Sequence, residues 1–198
     1  MPKERLTAFS DGVIAIIITI MVLELKAPHH AQWSALLDLT PAFLSYVLSF
    51  VYLAIYWNNH HHLMMTAERV DGAILWANMH LLFWLSLIPF ATAWMGENDF
   101  APAPVAVYGF ALLAPAIAYY ILQRTIIRRH GEDSTLARAL GADWKGKLSP
   151  LAYCIAIALA FVSPAISGAI YVGVALLWLI PDRRIERELA SRPGDGQC

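Results

Sequence analysis

The sequence predicts an all-α, polytopic membrane protein with six transmembrane helices, and three observations carry that reading. The chain of 198 residues is 59% hydrophobic and 15% charged, with a mean hydropathy of +0.54. Soluble domains carry about 25% charged and 45–50% apolar residues. Apolar runs near the roughly 20 residues that cross a bilayer recur along the chain. The basic residues gather in alternate loops, the pattern of a multi-pass topology. Net charge is −1, so no overall field favours nucleic acid or an acidic substrate.

The first span covers residues 9–25. The leading "MPKERLTAFSDG" has no small-residue cleavage site after its apolar stretch, and Glu24 and Lys26 follow, so it reads as a retained helix and not a signal peptide. The second and third spans cover residues 40–60 and 72–95, and the fourth covers 104–127. The fifth and sixth, 148–162 and 165–180, are separated by "SPAISG". A single helix there would be about 50 Å long at 1.5 Å per residue, too long for one crossing. Two spans are therefore expected, although Pro and Gly would also permit a kinked one.

One set of loops holds Lys3 and Arg5, then Arg69, then Arg124, Arg128, Arg129, Arg138, Lys145 and Lys147, then Arg183, Arg184, Arg187 and Arg192. The opposite set holds Lys26, the acidic "GENDFAPAP" and the uncharged "SPAISG". Both termini are thus expected in the cytoplasm, which demands an even number of crossings. Trp33, Trp94, Trp144 and Trp178 fall near span ends, where interfacial aromatics gather. Residues 1–182 read as one transmembrane domain, and 183–198 as a polar cytoplasmic tail, a short helix that frays. There is no internal repeat. Cys154 sits in an apolar run and Cys198 at the end. Neither belongs to a CxxC or zinc-type spacing, and Cys154 reads as a small hydrophobe.

On a helix, Ile16, Ile20 and Leu23 share a narrow sector, with Thr19 at its margin and Gly12 and Ala27 extending the line. Their neighbours are apolar too, so periodicity does not decide whether that sector faces lipid, protein or water. Asp11 and Ser10 open the span. They read as end-capping groups favoured by the helix dipole, or as groups facing protein inside a bundle.

"RLTAFSD" has the form Arg-x-x-x-Phe-Ser-Asp, at Arg5, Phe9, Ser10 and Asp11. It resembles the signature of the transmembrane protein 175 family, known from lysosomal potassium channels and their prokaryotic relatives. "YWNNHH" adds Trp57, His60 and His61, and "NMHLLFWLSLIPF" adds Asn78, Pro89 and Phe90, in positions similar to that family's second and third helices. The resemblance implies a homotetramer of six-helix subunits in the cell (inner) membrane, with the first helix of each lining a central pore. It implies passage of potassium ions and no bound cofactor. Matched by position, the family's narrow isoleucine falls on Ile16, its further pore positions on Ile20 and Leu23, and its threonine layer on Thr19. Arg5, Phe9, Ser10 and Asp11 would anchor the pore helix. Arg5 and Asp11 cannot share a helix face, so each needs a partner elsewhere, with His60, His61 and Asn78 as candidates.

An apolar ring offers no oxygen to replace lost hydration, which favours potassium because it sheds water more cheaply than sodium. Such a ring also closes by dewetting, while Thr19 hydroxyls would supply oxygens beside it. Glu24 either attracts cations to the outer mouth or snorkels and pairs with Lys26. Glu97 and Asp99 add acidity on that side. His60, His61 and His62 diverge by about 100° per residue on a helix, which disfavours chelation of one metal ion and favours hydrogen bonding, with pH sensing as the alternative. His80 is expected to be packed and hydrogen-bonded. The run from Arg124 to Arg129 serves topology, or also contacts anionic lipid headgroups. No GxSxG, P-loop, HExxH or paired-carboxylate pattern supports an enzyme. Two other classes stay open: a proton-linked secondary transporter using Asp11, His60 or His80, and a membrane scaffold without transport.

Overall fold

Prolines mark most of the helix starts, because the first turn of a helix is where a missing N–H does no harm. The structure is a computed structural model that describes residues 2–29, 31–67, 69–131, 136 and 144–179. Pro2 caps α1 (Lys3–Leu23). A short helix, α2 (Ser34–Leu37), precedes α3 (Thr40–Thr66), whose first turn holds Pro41. Asp71 caps α4 (Gly72–Leu85), its carboxylate accepting the Ile74 N–H at 3.0 Å. Pro89 lies in the first turn of α5 (Ile88–Glu97), and Pro102 opens α6 (Pro102–His130). The last pair is α7 (Trp144–Leu159) and α8 (Pro164–Leu179). Among the described residues there is no strand.

Among the described residues, four stretches are long and apolar enough to cross a membrane: Lys3–Leu23, Thr40–Thr66, Gly72–Glu97 and Pro102–His130. The third is not one regular helix. It breaks at Ser86 and Leu87 because Pro89 cannot donate to the preceding turn. The first helix starts earlier than expected, so Arg5 to Asp11 lie within it. The turn before the last helix is residues 160–163, and "PAISG" is already helical. With 16 residues each, α7 and α8 span about 24 Å at 1.5 Å per residue. They form an antiparallel hairpin, tied by Ser167 Oγ to the Ala156 carbonyl at 2.7 Å and by Trp178 Nε1 to Ser149 Oγ at 2.8 Å. Arg138, the tail 183–198 and the boundary at 182 lie outside the described residues.

Polarity is inverted relative to a soluble fold. Trp76, Phe90, Phe161 and Val162 are all more than 60% exposed. Ser10, Ser49, His60, Asn78, Thr92 and Ser167 are buried. In lipid this is the favourable arrangement, since polar groups gain partners only against other helices. One core joins α1, α3, α4 and the basic end of α6 through Leu6, Ile14, Leu53, Leu63, Ile74 and Leu122. The other joins α3, α5, α6, α7 and α8 around Tyr52, Tyr108, Tyr153 and Tyr171. Tyr52 donates to the Tyr171 carbonyl at 2.6 Å, and the Tyr171 hydroxyl donates to the Val105 carbonyl at 3.1 Å. That hydroxyl occupies the space a side chain at Gly109 would need.

Helices α3 and α5 meet almost backbone to backbone. A Cβ on Gly96 would lie 2.6 Å from the Ala42 Cα. Gly96→Ala is therefore expected to destabilise the fold by about 1–3 kcal/mol, the usual penalty of overpacking. Gly168, in α8, has nothing within 4 Å of its added Cβ, and Gly168→Ala is expected to be neutral or to stabilise by up to ~1 kcal/mol through helix propensity. Thermal unfolding of both variants in detergent checks the pair, and equal midpoints would contradict the close approach.

Candidate functional site: the first helix and its anchors

Helix α1 has two unlike faces. Leu6, Ser10, Ile14, Ile17 and Met21 recur every three or four residues and are buried against α3, α4 and α5. The opposite face is exposed on the protomer: Ile16 at 60%, Ile20 at 43% and Leu23 at 73%. Thr19 is exposed beside them, its hydroxyl returned to the Ala15 carbonyl at 2.9 Å. Gly12 lies on the same face with nothing within 4 Å of an added Cβ.

The rotation that separates these faces is held by polar contacts. The His60 Nε2 lies 2.7 Å from Asn78 Oδ1, the Asn78 amide donates to Ser10 Oγ at 2.9 Å, and Ser10 Oγ donates to the Leu6 carbonyl at 2.9 Å. Each step has one direction: an amide oxygen only accepts, so His60 Nε2 must carry the proton. The run thus begins on α3, crosses α4 and ends on the backbone of α1. His60, Asn78 and Ser10 are each at most 1% exposed. The other ring nitrogen, His60 Nδ1, is buried with no partner among the described residues.

Asp11 makes the second tether. Its carboxylate accepts from Trp57 Nε1 at 3.0 Å, and the Trp57 ring stacks on His61 with centroids 6.2 Å apart. One residue of offset on α1 thus sends Ser10 to α4 and Asp11 to α3. The structure brings Ser10, Asn78 and His60 together, and Asp11, Trp57 and His61 together. Asp11 pairs with the indole and not with the imidazoles or Asn78. Arg5 and Phe9 do not join either group: Arg5 is exposed with no partner among the described residues, and Phe9 is 49% exposed. Both sit close to the Ile16 line, because seven and eleven residues are near whole numbers of turns.

At the other end of α1, Lys26 Nζ meets Glu97 Oε1 at 2.9 Å. Of the two readings of Glu24, the pairing with Lys26 does not form. Glu24 still belongs to the helix end, whereas Lys26 lies beyond it, where α5 terminates at Glu97. The hydrogen bond and charge of Glu97 raise the Lys26 pKa above its ordinary value. With side chains 75% and 51% exposed, the pair contributes little stability.

His62 contacts His61 edge to face at 5.7 Å. No group of three or more possible metal ligands occurs among the described residues. His80 is exposed rather than packed, yet its Nε2 accepts from Trp84 Nε1 at 2.8 Å. Arg129 binds Asp71 at 2.9 Å. The Ile74 N–H first, and the Arg129 charge with it, holds the Asp71 carboxyl below its ordinary pKa. Sequence reading missed three contacts here. Trp57 as the Asp11 donor carried no signal beyond its place in "YWNNHH". The Lys26–Glu97 pair was foreshadowed, since both charges fall in loops of the same side. The linked Tyr108, Ser49 and Thr92 hydroxyls, 2.9 and 2.6 Å apart, had none.

Removing the Asn78 amide strands His60 Nε2 in an apolar bundle and leaves Ser10 Oγ with only its bond to the Leu6 carbonyl. Asn78→Leu is expected to cost about 1–3 kcal/mol. Ser10→Ala and Asn78→Leu should be non-additive by ~1 kcal/mol, because they break the same bond. A double-mutant cycle of thermal unfolding measures this, and strict additivity would show that the bond is not formed.

The family model described as "Endosomal/lysosomal potassium channel TMEM175" matches residues 5–89, the stretch that holds α1 and its tethers on α3 and α4. A potassium channel of Chryseobacterium sp. (strain P1-3) is 56% identical over 189 residues, covering 96% of this chain and 98% of that protein. A potassium channel of Streptomyces collinus is 32% identical, covering 88% and 90%. The crystal structure of a lysosomal potassium-selective channel TMEM175 homolog from Chamaesiphon minutus superposes with a TM-score of 0.78 at 32% identity, covering 91% of this chain and 97% of that one. With likeness that spans nearly the whole chain, its all-helical fold and its anchored first helix, this multi-pass membrane protein belongs to the TMEM175 family.

Proposed function

We propose that the chain forms a potassium-selective channel, with four copies placing α1 around a common axis and Ile16, Ile20 and Leu23 making an apolar constriction beside a Thr19 layer. The observation that carries this reading is the exposed, apolar face of α1, opposite a face fixed by Ser10 and Asp11. A membrane helix can turn such a face to lipid. Full-length relatives named potassium channels favour a conduit instead. In the proposed assembly the six crossings are α1, α3, α4 with α5, α6, α7 and α8, with both termini cytoplasmic in the cell (inner) membrane.

The constriction would work by dehydration. Side chains of Ile and Leu give a passing ion no oxygen, so the ion that surrenders water most cheaply passes best. That ion is potassium rather than sodium. Each Thr19 proton already points at Ala15, which leaves hydroxyl lone pairs for a partly hydrated cation. Arg5 and Phe9 share the exposed side of α1, so their partners would lie on a neighbouring copy. The motif then divides its labour: Ser10 and Asp11 hold the helix to its own subunit, and Arg5 and Phe9 hold subunits together.

Purified protein in potassium-loaded liposomes should release potassium without any proton gradient. Ile16→Asn should speed the flux and reduce selectivity over sodium. Removing about 1.4 kcal/mol of barrier gives a tenfold faster flux. Unchanged flux in this variant would remove Ile16 from the constriction, and flux that demands a proton gradient would identify a coupled transporter instead.

A further inference from the structure

Two recesses meet on α6 at one side chain. The first is an aromatic cleft between α3, α6, α7 and α8, walled by Tyr52, Tyr56, Tyr153 and Trp178, with a cavity volume of about 50 Å³. Gln123 lines it, is 6% exposed, and has no hydrogen-bond partner among the described residues. An amide on the wall of such a cleft can donate to a ligand oxygen or to water. The second recess is lined by Tyr120, Thr125, Arg124 and Arg128, and Tyr120 lines both. Among the described residues no carboxylate lines either one.

The basic recess is ordered. Arg124 Nε donates to the Tyr120 hydroxyl at 3.0 Å, and its guanidinium carbon lies 5.1 Å from the Tyr120 ring centroid. That contact leaves the terminal guanidinium nitrogens available, with Arg128 one turn away on the same side. Arg129 is occupied by Asp71. Toward the middle of α6 the neighbouring surface is apolar, with Ile117 at 45% and Ile121 at 40% exposure. A cationic pocket at the end of an apolar helix face, next to an aromatic cleft, is complementary to one kind of molecule. It must carry a negative headgroup, polar linkages just below it, and a hydrocarbon chain.

We propose that Arg124, Arg128, Tyr120 and Gln123 form a binding site for an anionic phospholipid. The two guanidiniums hold the phosphate, Gln123 donates to an ester carbonyl, and the first methylenes of one chain enter the aromatic cleft. Phosphate is the ligand for which an arginine's paired donors are best suited. The proposal concerns α6 and its neighbours and does not depend on the pore reading.

Native mass spectrometry of the full chain in detergent tests it, with phosphatidylglycerol and phosphatidylcholine of matched chains as probes. Phosphatidylglycerol should be retained roughly tenfold more, given the attraction each arginine adds near a membrane surface. The double variant Arg124→Gln, Arg128→Gln should lose that preference, and unchanged preference would overturn the site. Should the variant fail to fold, the wild-type preference is measured against rising salt. A collapse with salt supports the arginine contacts, and a constant ratio contradicts them. Equal retention of the two lipids, or displacement of phosphatidylglycerol by glycerol 3-phosphate at the same concentration, would show that no anionic lipid is selected.

Discussion

A single amide decides which way α1 faces. Asn78 on α4 receives a proton from His60 on α3 and gives one to Ser10 on α1, all of it out of reach of water. In a medium where apolar side chains meet lipid as readily as each other, ordinary hydrophobic burial does little to choose a helix rotation. Hydrogen-bond direction chooses it. With Ser10 turned to α4 and Asp11 turned to α3, the residues half a turn away have no place in the subunit. Ile16, Ile20 and Leu23 are exposed for that reason, and not because they are more apolar than the buried Ile14 and Ile17.

The rest of the bundle follows the same economy of polar contacts. Tyr108, Ser49 and Thr92 link α6, α3 and α5, with Thr92 passing its proton to the Ile88 carbonyl at 2.7 Å. Tyr52 and Tyr171 cross-link α3, α8 and α6 through backbone carbonyls. Small residues do the remainder, as where Gly96 lets α5 lie against Ala42. These contacts join α3, α5, α6 and α8 to one another, and α1 is set against that frame through Ser10 and Asp11. Such a division suits the pore role proposed for α1, which needs a reproducible position and an outward face left uncommitted.

Much of the architecture was readable from residue order. The positions of the spans followed from runs of apolar residues, and the polar start of α1 marked it as unusual. The boundaries that moved did so for local reasons. Pro89 interrupts the third span, and Pro164 begins a helix rather than sitting in a loop. Pairings were harder to read. Asp11 takes Trp57, and Lys26 takes Glu97, because both partners come from helices far away in the chain, and their meeting depends on how those helices pack.

By itself, the sequence determined that this chain is helical, that it is built for a bilayer, and that Ile16, Ile20 and Leu23 share one side of its first helix. Those properties depend on composition and on a helical repeat of 3.6 residues, both local. Only the tertiary structure decided which side of α1 meets its own subunit. Every face of that helix is apolar enough for lipid, so the choice rested on where Asn78 and Trp57 stand in three dimensions, and no periodicity within α1 encodes the position of another helix.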